Sequence, residues 1–115
     1  MKVAGAIAGI PILVLVDSGA SHNYISPKLA RLLDLHIITS TRLHIKLGDG
    51  HKLWSHGVCH DLSLTMGTYA SILDVRVLDI GSLDLILGIA WLRTLGEVHI
   101  NWNTMTMRFG GPLNR

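Results

Sequence analysis

The chain has 115 residues, of which 49% are hydrophobic and 16% charged, with ten basic and eight acidic side chains and a formal net charge of +2. That length allows one domain with a modest core, and so apolar a composition excludes intrinsic disorder. The basic residues form no run that would suit nucleic acid or an anionic membrane, no apolar stretch approaches a membrane span, and the single Cys59 excludes an internal disulfide and suits a reducing, intracellular compartment.

In chain order, residues 3–8 read as a first strand rich in small residues, turning at Gly9, Ile10 and Pro11 into a second strand. Lys2 and the apolar run ending at Ser18, Gly19 and Ala20 have the outline of a secretory leader. Gly9 and Pro11, however, cut that run into two strand-length pieces, as a hairpin would. The second piece, Ile12, Leu13, Val14, Leu15 and Val16, is continuously apolar and stops abruptly at Asp17, Ser18, Gly19, Ala20 and Ser21. Unbroken apolar character predicts a strand covered on both faces, which would deliver Asp17 to a tight turn where water is scarce and ionisation is costly. Gly19 would allow a backbone geometry that a side chain obstructs, and Ser18 and Ser21 can hydrogen-bond the turn. Taken alone, the stretch is also what a plain strand with an Asx turn looks like.

Ser26 and Pro27 then form a helix start, Ser as the cap and Pro at the first helical position. Leu29, Leu32 and Leu33 are expected on the inner face, Lys28 and Arg31 outside, with the end near Asp34 or Leu35. From Thr41 the period becomes two: Leu43, Ile45 and Leu47 alternate with Arg42, His44 and Lys46, until Gly48, Asp49 and Gly50 break the strand and residues 52–56 resume it. This hairpin, with Leu53 and Trp54 near its tip, reads either as a plain surface hairpin or as a mobile cover over a cleft. Residues 57–66 and 69–78 are two strands joined by Gly67 and Thr68. Residues 83–87 form a short buried strand that meets Gly88, and residues 89–95 a short helix with Trp91 and Leu92, closed by Gly96. A last hairpin, 97–102 and 105–109, turns at Asn103 and Thr104. One domain over residues 1–110 is expected, with 111–115 as a tail or the start of a linker.

The order of these pieces resembles the retropepsin-like aspartic proteases of long-terminal-repeat retrotransposons, particularly the Ty3/gypsy type. The resemblance runs from about Val3 to Phe109. It rests on Leu15 to Ser21, extended by His22, Asn23, Tyr24, Ile25 and Ser26, and on Asp84 to Leu92 with its Leu85, Ile86, Leu87, Gly88 run. It implies an all-β fold: a closed barrel with a flap hairpin and one or two short helices, forming one half of a two-fold symmetric homodimer. By the resemblance Asp17 is the catalytic aspartate, Ser18 bonds across the dimer axis, and Gly19 presents its backbone to substrate, with Ala20 and Ser21 beside it. Gly48, Asp49 and Gly50 would be the flap that closes over the peptide, and Ile86, Leu87 and Gly88 would support the catalytic loop from beneath. The implied substrate is a polypeptide, the gag-pol polyprotein containing the domain. Water is the nucleophile, and neither metal nor cofactor is needed.

The acids alone lead to a similar place. Of eight, only Asp17 ends an unbroken apolar strand; Asp34, Asp49, Asp61, Asp79 and Glu97 fall at turns or element ends, and Asp74 and Asp84 are expected to face out or cap. One buried carboxylate serves poorly as both base and acid, whereas two that share a proton can divide the roles. The chain carries one such motif, so the second aspartate would come from a second copy. A metal site at His51, His56, Cys59 and His60 matches no zinc-ligand spacing, and Cys59 and His60 should point to opposite faces of a strand. Ser18 or Ser21 with His22 lacks a nucleophile elbow, and sequence neighbours on extended chain should diverge. A silent retropepsin-like dimerisation or peptide-binding module, and a host retroviral-like protease, stay open.

Overall fold

A computed structural model describes residues 1–39, 43–46, 52–55, 57–95, 98–101, 103–104 and 106–109. Its first two strands, β1 (Lys2–Ile7) and β2 (Ile10–Val16), pair antiparallel from Lys2↔Leu15 to Ile7↔Ile10. The reversal is made by Ala8 and Gly9, at φ +51° and +79°. Two consecutive positive φ values give the turn whose twist matches a two-residue hairpin. The expected turn was therefore placed late, and Ile10 and Pro11 already belong to the strand. Pro11 sits outside the part of β2 that pairs on its other edge, so its missing N–H breaks no ladder there.

Four further strands complete the barrel: β3 (Tyr24–Ile25), then, after the helix and hairpin described next, the long pair Gly57–Met66 and Tyr69–Val77, and finally Leu85–Leu87. Helix α1 (Pro27–Leu32) starts as expected, with Ser26 extended and its Oγ accepting from Leu29 N–H at 3.0 Å. It ends in a left-handed residue, Asp34 at φ +52°, with Asp34 N–H donating to Arg31 O and Leu35 N–H to Ala30 O. Leu29 and Ala30 are buried and Leu33 packs against the core, but Leu32 is 66% exposed, contrary to expectation. At about 100° per residue the buried face centres between Leu29 and Ala30, which turns Leu32 about 110° away from it.

Strands β4 (Leu43–Lys46) and β5 (Lys52–Ser55) pair only with each other among the described residues. Ile45 is buried and His44 exposed, as the alternation predicts. The loop with Gly48, Asp49 and Gly50 lies outside the described residues, as do His51, His56, Gly96, Glu97 and the tail 111–115. The long hairpin of β6 (Gly57–Met66) and β7 (Tyr69–Val77) turns at Gly67 and Thr68 and carries a bulge between Cys59 and Leu62, with Asp61 at φ +58°. The bulge explains two successive exposed residues, His60 and Asp61, between buried Cys59 and buried Leu62. β8 (Leu85–Leu87) leads into α2 (Ile89–Leu92), which continues as a 3-10 turn, Arg93–Leu95. A separate hairpin, β9 (Val98–Asn101) and β10 (Thr106–Phe109), follows.

The fold is all-β, a closed six-stranded barrel in the order β1-β2-β8-β3-β7-β6, with two short helices. β8 runs parallel to β2 and antiparallel to β3. Val14, Ile25, Leu64, Val75, Leu85, Leu87 and Trp91 fill the interior. Burial along β2 alternates: Ile12, Val14 and Val16 point in, while Pro11 and Leu13 point out, Leu13 being 40% exposed. An unbroken apolar run does not mean cover on both faces here, because among the described residues Pro11 and Leu13 stay exposed on the outer side of β2.

Candidate active site

The parallel pairing of β2 with β8 runs one residue past Val16↔Leu87, as Asp17 N–H donates to Leu87 O at 2.9 Å. The chain then leaves the barrel and turns at once, Ala20 N–H donating to Asp17 O and Gly19 N–H to Asp17 Oδ1 at 2.9 Å. Asp17, Ser18 and Gly19 are exposed, so the expectation of a water-poor carboxylate fails for one chain. Gly19 does not occupy the left-handed region. Glycine suits the position through close approach, since a Cβ would stand 3.2 Å from Asp17 Oδ1.

Beneath the loop lies the end of β8. Gly88 is buried, and a Cβ there would press on the carbonyl oxygens of His22 and Ala20, the latter at 2.5 Å. That intimacy lets Ile89 N–H donate to Ala20 O at 2.8 Å and Gly88 N–H to Asn23 Oδ1 at 3.0 Å. Asn23, itself buried, also donates through Nδ2 to Asp74 O, while its own carbonyl accepts from Arg76 N–H. One side chain thus ties the loop to β7 and to the start of α2. Asn23 stood in the sequence inside a recognised motif, but these roles depend on partners far along the chain.

Asp17, Gly19, Ala20 and Ser21 border a cavity of about 420 Å³. Its other walls are Ile86 from β8, Ile45 and Leu53 from the β4–β5 hairpin, Tyr24, and the segment Leu78, Asp79 and Ile80. Most of these side chains form a hydrophobic cluster of their own, apart from the main core. Leu87 and Gly88 sit under the loop and outside the cavity, and Ser18 is exposed without lining it. The expected flap residues Gly48, Asp49 and Gly50 fall outside the described residues. Sequence reasoning did not find Leu78, Asp79 or Ile80, whose place follows only from how the chain leaves β7. Asp79 is a second carboxylate on the cavity, although its Oδ1 accepts from Gly81 N–H and so closes its own turn.

Ser21 and His22 do meet, Oγ to Nδ1 at 2.9 Å, despite being sequence neighbours. The expected divergence fails because the chain is bent here, and Ser21 Oγ also lies 3.4 Å from Tyr24 OH. Burial first, and then the Arg76 charge, hold the His22 pKa below 6.5. A serine mechanism needs a base that gains a proton readily, and this environment opposes it. Cys59 is buried and His60 exposed, and the thiol is pushed up by burial and by Asp74 and Asp61, which keeps it protonated. No cluster of three or more potential metal ligands occurs among the described residues.

The model of the PEG10/RTL1 protease domain matches residues 13–113. The chain belongs to this family. The PEG10/RTL1 protease domain is here retropepsin-like in fold: the retroviral protease-like domain of Ddi1 from Leishmania major superposes with a TM-score of 0.69 at 17% identity, covering 95% of this chain and 85% of that one. Comparison with curated protein sequences gives no match. Within this PEG10/RTL1-type domain, no helix among the described residues is long and apolar enough to cross a membrane.

Proposed function

We propose that the domain is an aspartic endopeptidase whose working unit is a homodimer, with the Asp17 carboxylates of two copies facing one another. The observation that carries this reading is the Asp17 carboxylate, exposed in one chain, at the border of a largely apolar cavity and on a firmly seated turn. A second copy would remove Asp17 from water. Two carboxylates brought close cannot both ionise easily, so they hold one proton between them. The ionised one takes a proton from water, whose oxygen attacks the peptide carbonyl carbon, while the protonated one gives its proton to the carbonyl oxygen. Ser18, exposed beside the aspartate, is free to bond across the axis. Gly19 and Ala20 offer backbone to an extended substrate, Ser21 lines the same wall, and the β4–β5 hairpin, whose strands Gly48, Asp49 and Gly50 link in sequence, would close over it. Ile86 gives an apolar subsite wall, and Leu87 and Gly88 hold the loop. The apolar walls favour apolar side chains at the cleaved bond, and the proposed substrate is the retrotransposon gag-pol polyprotein containing the domain.

The test is cleavage of a mixed peptide library by wild type, Asp17→Asn and Asp79→Asn over a range of protein concentrations. Asp17→Asn should remain folded and lose at least about a thousandfold in rate, near the full contribution of a positioned acid–base group. Asp79→Asn should retain most activity, and wild-type rate should rise faster than linearly with concentration. Equal loss in both variants, with a rate strictly proportional to concentration, would replace the two-copy dyad by a pair within one chain. No cleavage by a folded dimeric wild type would favour a silent peptide-binding module.

A further inference from the structure

A second cavity, about 370 Å³, shares no lining residue with the first. His22 and Asn23 of the loop border it, together with Arg76 and Asp74 of β7, His60 of β6 and Thr94 of the 3-10 turn. Val58, Leu73 and Trp91 supply apolar wall. The decisive feature is Arg76, which lines this cavity and whose Nη1 is buried with no hydrogen-bond partner among the described residues. A guanidinium stays charged at any accessible pH, and a buried N–H of a cation left unpaired is costly. The neighbouring acid is already engaged: Asp74 Oδ2 lies 3.2 Å from His60 Nδ1, and Oδ1 accepts from Asp61 N–H at 3.1 Å.

We propose that this second cavity binds a carboxylate carried on an apolar body, with Arg76 as its charged partner. Carboxylate matches the planar fork of a guanidinium, and the apolar walls would take up the rest of the molecule. Asp74 on the same rim selects a singly charged anion over phosphate, whose second charge it would repel. Two sources offer this chemistry, a small organic acid and the C-terminus of a peptide ending in an apolar residue.

The experiment is a backbone amide NMR titration of the whole chain, which does not depend on catalysis. The probes are phenylacetate, the peptide acetyl-Ala-Ala-Leu with a free C-terminus, the corresponding amide of each, and inorganic phosphate. At least one acid should give saturable shifts at Asn23, Arg76 and Thr94 at millimolar concentration, about tenfold tighter than its amide. Preference between phenylacetate and the tripeptide identifies the source. Arg76→Gln should abolish the shifts; should that variant unfold, the acid-against-amide comparison on the wild type still decides. Equal binding of acid and amide, phosphate binding as tight as carboxylate, or no saturable shift at these amides would overturn the proposal.

Discussion

The segment from Asp17 to Asn23 borders two cavities that differ in kind. Among the described residues, the charged groups on the first are all carboxylates, Asp17 and Asp79, set in a ring of aliphatic and tyrosine side chains. The second is mixed and carries Arg76, His22, His60 and Asp74. Apart from Asp17 Oδ1, which accepts from Gly19 N–H within the turn, neither set of charges holds the loop in place. That is done by neutral contacts: Asp17 N–H on Leu87 O, Ile89 N–H on Ala20 O, and Asn23 between Gly88 and Asp74 O. Charges on both sides can therefore change protonation or meet a ligand while the frame between them stays fixed, as the proposed dyad would require.

The strongest way to break that frame is Gly88→Ala. The added Cβ would meet two backbone carbonyls, those of His22 and Ala20, which cannot swing aside as a flexible side chain can. The loop must lift, and Asn23 and Ile89 lose their partners. A loss of about 3 kcal/mol or more is expected in chemical denaturation, with both cavities affected together. An unchanged midpoint would mean that the loop is not seated on Gly88.

Asn23→Ala is the next largest. It leaves Gly88 N–H buried without its acceptor and removes the donor to Asp74 O, at a cost of about 1–3 kcal/mol. Because Asn23 anchors the segment that borders both cavities, amide shifts should spread to Ser21 on one side and Arg76 on the other. Shifts confined to one side would break the picture of a common frame.

A smaller, pH-dependent effect separates the two sides. His22 has a folded pKa below 6.5, through burial first and the Arg76 charge second; Ser21 Oγ bonds its Nδ1, and His60 and Asp74 line the same cavity. Between that lowered value and 6.5 the unfolded chain binds more protons than the folded one, so stability falls as pH drops through this window and levels off below it. Wild type should lose stability relative to His22→Gln on passing from neutral to mildly acidic pH. A constant difference between the two proteins across that range would remove His22 from the account.

How much of this could be read from the sequence followed the range of the interactions concerned. Ser26 with Pro27, the Gly67 turn and the His44/Ile45 alternation are local signals, and each formed where it was expected. Asp17, Gly19, Ala20, Ser21 and Ile86 came together on one cavity because the motif that links them encodes a supersecondary unit. What was misread depended on distant partners. The exposed side of β2 is decided by what the described residues pack against it, Leu32 by where a short helix touches the barrel, and the bulge at His60 and Asp61 by the register of β6 on β7. Asp79 and Ile80, like the proximity of His22 to Arg76, have no spacing signature, since closure of the barrel alone makes them neighbours.

The smallest expected change is a gain, at a place that borders neither cavity. Asp34 ends α1 at φ +52°, a conformation costing a non-glycine residue about 1–2 kcal/mol, and its carboxylate stands at the helix end that disfavours negative charge. Asp34→Gly relieves both, against about 0.5–1 kcal/mol of added chain entropy in the unfolded state. A net stabilisation of about 0.5–1 kcal/mol is expected, read as a higher denaturation midpoint with an unchanged slope. Peptide cleavage and carboxylate binding should stay at wild-type levels, because the added stability enters through α1 and not through the Asp17 to Asn23 segment. A shift in either function would mean that the segment opens together with the rest of the barrel, and the losses expected from Gly88→Ala and Asn23→Ala would then measure global stability in place of the local frame.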